Sequence, residues 1–114
     1  MSDLNEAQWR HLVDMTDMLI RFCRLHKDEM YLESLEYLRD TYMKKDLVLS
    51  KRVAHEFPMT GMTSFIDPRP LFPLAGENAE YCNLVFLTLA HAWIRLQKDW
   101  LFDGIHPNSP KALE

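Results

Sequence analysis

The sequence predicts an all-α fold, a compact bundle of about four helices with a long proline-rich apolar loop before a final, central helix. Two observations support this prediction. Apolar residues recur at the spacing of one helix face along most of the chain, and no segment alternates apolar and polar residues as a half-buried strand does. We expect one helical domain at residues 1–104 and a flexible C-terminal tail at residues 105–114.

The first predicted helix begins near Asn5, whose side chain can cap free backbone amides. Gln8 stands at the reciprocal capping-box position. Apolar residues cover most of the circumference of this helix rather than one stripe, so we expect it to pack on two sides. These residues are Trp9, Leu12, Val13, Met15, Met18, Leu19, Ile20, Phe22, Cys23 and Leu25.

Three further helices follow along the chain. Asp28 is the predicted start of the second, which continues to about Lys44. The break at 26–27 contains no glycine or proline, so a single bent helix is the alternative for the first two. Asp46 caps a shorter third helix that ends before Pro58. The last helix spans about 79–102 and is about 36 Å long, which makes it the candidate central element.

The loop at residues 57–76 holds four of the six prolines and two of the three glycines, yet it is rich in large apolar residues. Left exposed, such a loop would be an aggregation hazard. One interpretation is that it forms a lid over the helices and supplies part of the core. The other is that part of it contacts a partner, through Met59, Met62, Phe65 and Arg69.

The segment at about 60–96 resembles a part of small uncharacterised bacterial helical proteins of accessory or immunity type. In those proteins a GMGSxND-like turn joins an early helical region to a last long helix. Gly61, Met62, Ser64 and Asp67 carry the resemblance, whereas Thr63 replaces the second glycine of the pattern. The resemblance implies an accessory or immunity-type protein rather than a known enzyme, and it transfers no functional residue.

Composition narrows the class of protein. The net charge of −4 disfavours a nucleic-acid-binding groove, which is usually basic. Two cysteines do not make a disulfide framework, and the N-terminal residues lack the apolar region of a signal peptide. The longest apolar run, LVFLTLAHAWI, is about half of a membrane span. We therefore expect a cytoplasmic protein that binds neither membrane nor nucleic acid.

No catalytic or metal motif emerges from the sequence. Ser64, with His55 and Asp67 near it in sequence, lacks the spacing of any known nucleophile motif, so we predict no catalytic residue. Zinc sites usually combine two closely spaced ligand pairs. Cys23 and His26 make one such pair, but the remaining candidates, Cys82 and His91, are nine residues apart. We therefore predict no metal and no cofactor.

Negative charge is concentrated between residues 28 and 40. This window holds five acidic residues and one basic residue, and the rest of the chain has twelve of each. On a helix, four of these acids and one aromatic residue share a face: Glu29, Glu33, Glu36, Tyr37 and Asp40. Like charges one turn apart destabilise a helix slightly, so the pattern favours a binding face over local stability. A solvated face that serves only solubility is the alternative.

The function predicted from these observations is that of an immunity-type inhibitor without catalytic activity. Its acidic face would occlude the basic active-site cleft of a bacterial toxin, such as a nuclease, and Met62, Phe65 and Arg69 would add contacts. One alternative is a self-associating scaffold, a homodimer joined through the first and last helices. The other is a small metal-binding enzyme that uses His91, Arg95 or the Cys23–His26 pair.

Overall fold

The computed structural model describes residues 3–60, 64–67, 69 and 71–114, and these residues form four α-helices and no strand. The helices are α1 (Glu6–Leu25), α2 (Leu32–Met43), α3 (Leu47–Glu56) and α4 (Ala79–Leu101). The prediction of an all-α fold is therefore confirmed. Within the described ranges, no helix combines the length and the apolar character that crossing a membrane would need.

The N-terminus of α1 has the predicted capping box. The Asn5 side-chain oxygen accepts a hydrogen bond from the Gln8 N–H at 2.8 Å, and the Gln8 side-chain oxygen accepts one from the Asn5 N–H at 2.9 Å. Helix α1 contacts both α2 and α4, as its wide apolar surface predicts. Its inward side chains Leu12, Leu19 and Ile20 are fully buried.

Helix α4 contacts each of the other three helices. It packs directly against α1 and α3. The indole N–H of Trp93 donates to Thr16 Oγ1 on α1 at 2.9 Å, and the hydroxyl of Tyr42 on α2 donates to the Gln97 side-chain oxygen. All four side chains are buried, and each is hydrogen-bonded within its own pair, so burying them costs little. The two bonds fix the register of α4 in the core.

The junction between α1 and α2 differs from the prediction. Lys27 has a φ of 56°, which ends α1, and α2 begins at Leu32 rather than at Asp28. Asp28 does not cap a helix because its carboxylate points inward. It binds Arg69 of the loop through two hydrogen bonds, Nε to Oδ1 at 2.9 Å and Nη2 to Oδ2 at 2.6 Å. The side chains of this pair are only 4% and 10% exposed, respectively.

The loop that follows α3 supplies part of the core, as the lid interpretation predicts. Phe57, Met59 and Phe65 are buried. Phe65 makes edge-to-face contacts with four aromatic rings, and the Arg69 guanidinium lies 5.1–5.4 Å from the centres of three rings. The rings around Phe65 are Tyr31, Phe57, Phe86 and Trp93.

The segment at 105–114, predicted to be a flexible tail, packs against the C-terminal end of α3. The Asn108 amide donates to the backbone carbonyls of His55 and Phe57 at 3.0 and 2.7 Å, and its oxygen accepts from the Met59 N–H at 2.9 Å. His55 in turn donates through Nδ1 to the Pro107 carbonyl at 2.7 Å. The carbonyls at a helix end need donors, and the prediction missed that Asn108 supplies them.

Removing the cation of the buried pair is expected to destabilise the protein strongly. Arg69→Met leaves the Asp28 carboxylate buried and unpaired, and it should lower the free energy of unfolding by about 3–5 kcal/mol. Chemical denaturation measures the change. The matched control is Arg24→Met, which breaks the more exposed Arg24–Glu36 pair and should cost less than about 1 kcal/mol. Equal losses in the two variants would contradict this account of the lid.

Acidification is expected to loosen the 105–114 segment. Burial, and then Lys98, lower the pKa of His106 below its ordinary value of 6.5. In the fold its Nδ1 accepts the Asn108 N–H at 3.0 Å, a bond that protonation of Nδ1 breaks. Since the folded pKa is lowered, the stabilisation is present above pH 6.5 and is lost as the pH falls through the lowered pKa.

Nuclear magnetic resonance can follow this change at one amide. The Asn108 amide signal should move as the pH falls from about 7.5 to about 5, and His106→Asn should remove the movement. A signal that stays fixed in the unmodified protein over this range would contradict the coupling.

Candidate functional site

The predicted acidic face lies only partly on one helix. Glu33, Glu36, Tyr37 and Asp40 belong to α2, whereas Glu29 precedes the first turn of α2 and is exposed. Tyr37 is 58% exposed, so its ring is open to a partner. The prediction placed all five residues on one helix because it began α2 at Asp28.

Arginines of the same molecule neutralise part of this face. Arg24 of α1 binds Glu36, and Arg39 binds both Asp40 at 3.2 Å and Asp17 at 2.9 Å. The Arg24–Glu36 and Arg39–Asp40 pairs each have one side chain more than half exposed, so they contribute little to stability. They nevertheless reduce the negative potential along the edge that α2 shares with α1.

The unpaired carboxylates lie on the other side of α2. A groove of about 460 Å³ runs between α2 and the end of α3, and we call it the acidic groove. Among the described residues, no lysine or arginine forms an ion pair with Glu33 or Glu56, which both line it. The full lining is Met30, Glu33, Ser34, Tyr37, Val53, Glu56, Phe57 and Pro58.

Sequence reasoning missed Glu56 and Met30 as members of this surface. Met30 is 69% exposed beside Tyr37, and Glu56 stands in the last turn of α3. Glu56 has no local sequence signal, because its nearness to Glu33 depends on how α3 folds back against α2. Met30 is only three residues from Glu33, but nothing in the sequence shows that its side chain stays exposed. The exposure of a methionine and a tyrosine in one groove is typical of contact surfaces.

The loop residues predicted to face a partner do not form a surface with the groove. Phe65 is fully buried among aromatic rings, and the guanidinium of Arg69 is committed to Asp28. Both predictions are wrong because the loop is anchored in the core. Met59 is also fully buried, and Met62 lies outside the described residues.

A second cluster of polar groups lies where the end of α1 meets the start of α4. His26 Nε2 is 3.0 Å from Glu77 Oε1, and the Cys82 thiol donates to the same oxygen at 3.2 Å. His26 and Cys82 are buried, whereas the Glu77 side chain is 25% exposed. The three potential ligand atoms lie within 4.8 Å of one another, and we call this set the His26 cluster.

Neighbouring groups hold the His26 cluster in place. The Leu74 N–H also donates to Glu77 Oε1, at 2.8 Å, and this bond is the main reason that the pKa of Glu77 lies below its ordinary value. Burial, and then the Glu77 carboxylate, raise the pKa of the Cys82 thiol. The Phe22 ring stacks on the His26 imidazole with 4.0 Å between centroids.

The cluster combines the two half-sites of the sequence analysis in a different way. His26 and Cys82 meet, whereas Cys23 lies 3.7 Å from Asp28 Oδ2 and His91 is exposed on α4. Burial raises the pKa of Cys23 to about 12. Glu77 was missed because it has no characteristic spacing to His26, and only the return of the chain after the loop brings the two together.

Ser64, His55 and Asp67 do not assemble into a nucleophile and a base. Ser64 Oγ is buried with no hydrogen-bond partner in the described part of the chain, and His55 is bonded to the Pro107 carbonyl. Asp67 accepts from the Ser64 backbone N–H at 3.3 Å rather than orienting a histidine. The geometry therefore does not unite these three residues.

Comparison with protein-family models, with curated proteins and with solved structures finds no match to this chain. The resemblance of the 60–96 segment to immunity-type proteins stays a prediction. Gly61, Met62 and Thr63, which lie in its turn, are outside the described residues.

Proposed function

We propose that this protein is a non-catalytic, immunity-type inhibitor that binds a basic bacterial toxin and occludes its active-site cleft. The acidic groove, rather than the whole face of α2, makes the central contact. The observation that carries the proposal is that Glu33 and Glu56, which form no ion pair within the described part of the chain, lie beside exposed Met30 and Tyr37.

Charge and apolar contact have separate roles in this groove. Glu33 and Glu56 approach it from two helices, so a lysine or arginine entering the groove meets carboxylates from both sides. Tyr37 and Met30 offer large side chains that a partner can cover, and aromatic residues often dominate binding energy. The groove therefore suits a basic loop that inserts one or two long cationic side chains.

The surrounding charge favours rapid encounter with such a partner. The net charge of −4 and the exposed Glu29, which precedes α2, attract a cationic surface before contact. A typical stable interface covers about 800 Å² per partner, so the contact extends beyond the groove onto α2 and α3. Tight occlusion of a cleft by this means needs no chemistry from the inhibitor.

We place this function in the cytoplasm. Cys23 and Cys82 are both buried free thiols. Free cysteines are the rule in a reducing compartment, where an immunity protein would protect the cell that makes the toxin.

Charge reversal in the groove tests the proposal. Candidate partners are basic domains encoded in the reading frames next to this one, produced separately and mixed with the protein. Glu33→Lys with Glu56→Lys should slow association by about tenfold or more and abolish protection in cells that express the toxin. Surface plasmon resonance at several salt concentrations measures the rate, which should fall as salt rises.

The matched control changes the net charge by the same amount, at two residues outside the groove lining. Asp14 and Glu114 are exposed, and neither lines the groove, so Asp14→Lys with Glu114→Lys should leave most of the affinity intact. If the two double variants bind alike, the groove is not the contact surface.

A specific observation keeps self-association as the second candidate. Tyr81 and Leu84 lie one turn apart near the start of α4, and they are 54% and 62% exposed. A second copy of the chain would cover such a pair. Light scattering of the isolated protein separates the two functions, because a stable dimer favours a scaffold and a monomer favours the inhibitor.

A further inference from the structure

We propose that the His26 cluster is a binding site for a divalent transition metal, with zinc as the preferred ion, independent of the acidic groove. The ligands are His26 Nε2, a Glu77 carboxylate oxygen and the Cys82 thiolate. The site joins the C-terminal end of α1, the end of the loop and the first turn of α4.

The distances suit a tetrahedral ion. Zinc binds nitrogen, oxygen and sulfur ligands at about 2.0–2.3 Å, which separates neighbouring ligands by about 3.3–3.8 Å. His26 Nε2 and Cys82 Sγ lie 3.0 and 3.2 Å from Glu77 Oε1, and the three atoms fall within 4.8 Å of one another. The two contacts to Glu77 Oε1 therefore need to lengthen by only a few tenths of an ångström to admit an ion, with His26 Nε2 and Cys82 Sγ on either side within 4.8 Å of each other.

The imidazole is already oriented as a metal ligand. His26 Nδ1 is 2.8 Å from the Phe22 carbonyl, which can only accept, so Nδ1 carries a hydrogen. A carbonyl partner on the second ring nitrogen is the usual outer shell of a metal-binding histidine. Nε2 then faces Glu77 Oε1. The contact is attractive when the ring carries a second hydrogen, on Nε2, or when a cation lies between the two atoms.

Charge balance also favours a divalent ion. A neutral imidazole, one carboxylate and one thiolate together neutralise a charge of +2, which limits the cost of burying the ion. Although burial raises the pKa of the Cys82 thiol, a bound metal ion deprotonates a coordinating thiol. A nitrogen, oxygen and sulfur donor set selects zinc or cobalt over magnesium and calcium, which prefer oxygen alone.

The partly exposed side of the site leaves room for a fourth ligand. Glu77 is 25% exposed, whereas His26 and Cys82 are buried, so water reaches the ion from the Glu77 side. Three protein ligands and one water would complete a tetrahedron. The ion would also tie the lid to α1, where the Phe72 N–H already donates to the His26 carbonyl at 3.2 Å.

Cobalt substitution tests the site directly. The purified chain is stripped with a chelator and then titrated with Co²⁺ alone and with Zn²⁺ alone. We expect one ion per chain, a thiolate-to-cobalt charge-transfer band, displacement of Co²⁺ by Zn²⁺, and a higher melting temperature with zinc. Absence of the band in the folded unmodified chain would overturn the proposal.

Four variants assign the ligands, each checked for folding by circular dichroism. Cys82→Ser should remove the charge-transfer band, and Glu77→Gln should weaken binding at least tenfold. Cys23→Ser and His91→Gln are the matched controls and should keep the band and the affinity, because neither residue belongs to the cluster. The chain has two cysteines, so the thiolate bound to cobalt belongs to either Cys82 or Cys23. If Cys23→Ser folds but loses the band, the proposal is overturned, even if Cys82→Ser fails to fold.

Discussion

The buried ion pair between Asp28 and Arg69 is the constraint on which the rest of the structure depends. Both side chains are almost completely removed from water, so neither charge is tolerable without the other. Arg69 also donates to the Phe65 carbonyl and lies against three aromatic rings. One guanidinium thereby joins the α1–α2 junction to the loop and explains why an apolar, proline-rich segment is ordered against the core.

Each candidate site includes one residue close to Asp28 in sequence, His26 in the cluster and Met30 in the groove. After Lys27 ends α1, Asp28 points inward and α2 begins only at Leu32, which separates Glu29 from the carboxylates of α2. The same junction carries His26, whose backbone carbonyl accepts from Phe72 and whose ring meets Glu77. The His26 cluster therefore depends on this junction, whereas the acidic groove also depends on how α3 packs against α2.

The excess negative charge is apparent from the sequence, but the tertiary structure determines which of the acidic residues are paired with arginines. The sequence shows the excess of acidic residues between 28 and 40, but it does not show which residues lie near them in the fold. On the α1 side of α2, Arg24 pairs with Glu36, and Arg39 pairs with Asp17 and Asp40. The α3 side instead gains Glu56, so the unpaired negative charge moves from a helix face to a groove between two helices.

The sequence by itself determined the starts of α1, α3 and α4, because hydrophobic spacing and capping side chains such as Asn5 and Asp46 act within a few residues. It did not determine the start of α2, where Asp28 binds Arg69 instead of capping the helix. It also indicated that the loop must be covered, since so many apolar groups need cover, but it left open whether the core or a partner covers them. Only the tertiary structure decided which charges are paired, where Arg69 points, and which residue completes the cluster around His26. Those outcomes depend on contacts between residues far apart in the chain, such as Asp28 with Arg69 and His26 with Glu77, and no local pattern encodes them.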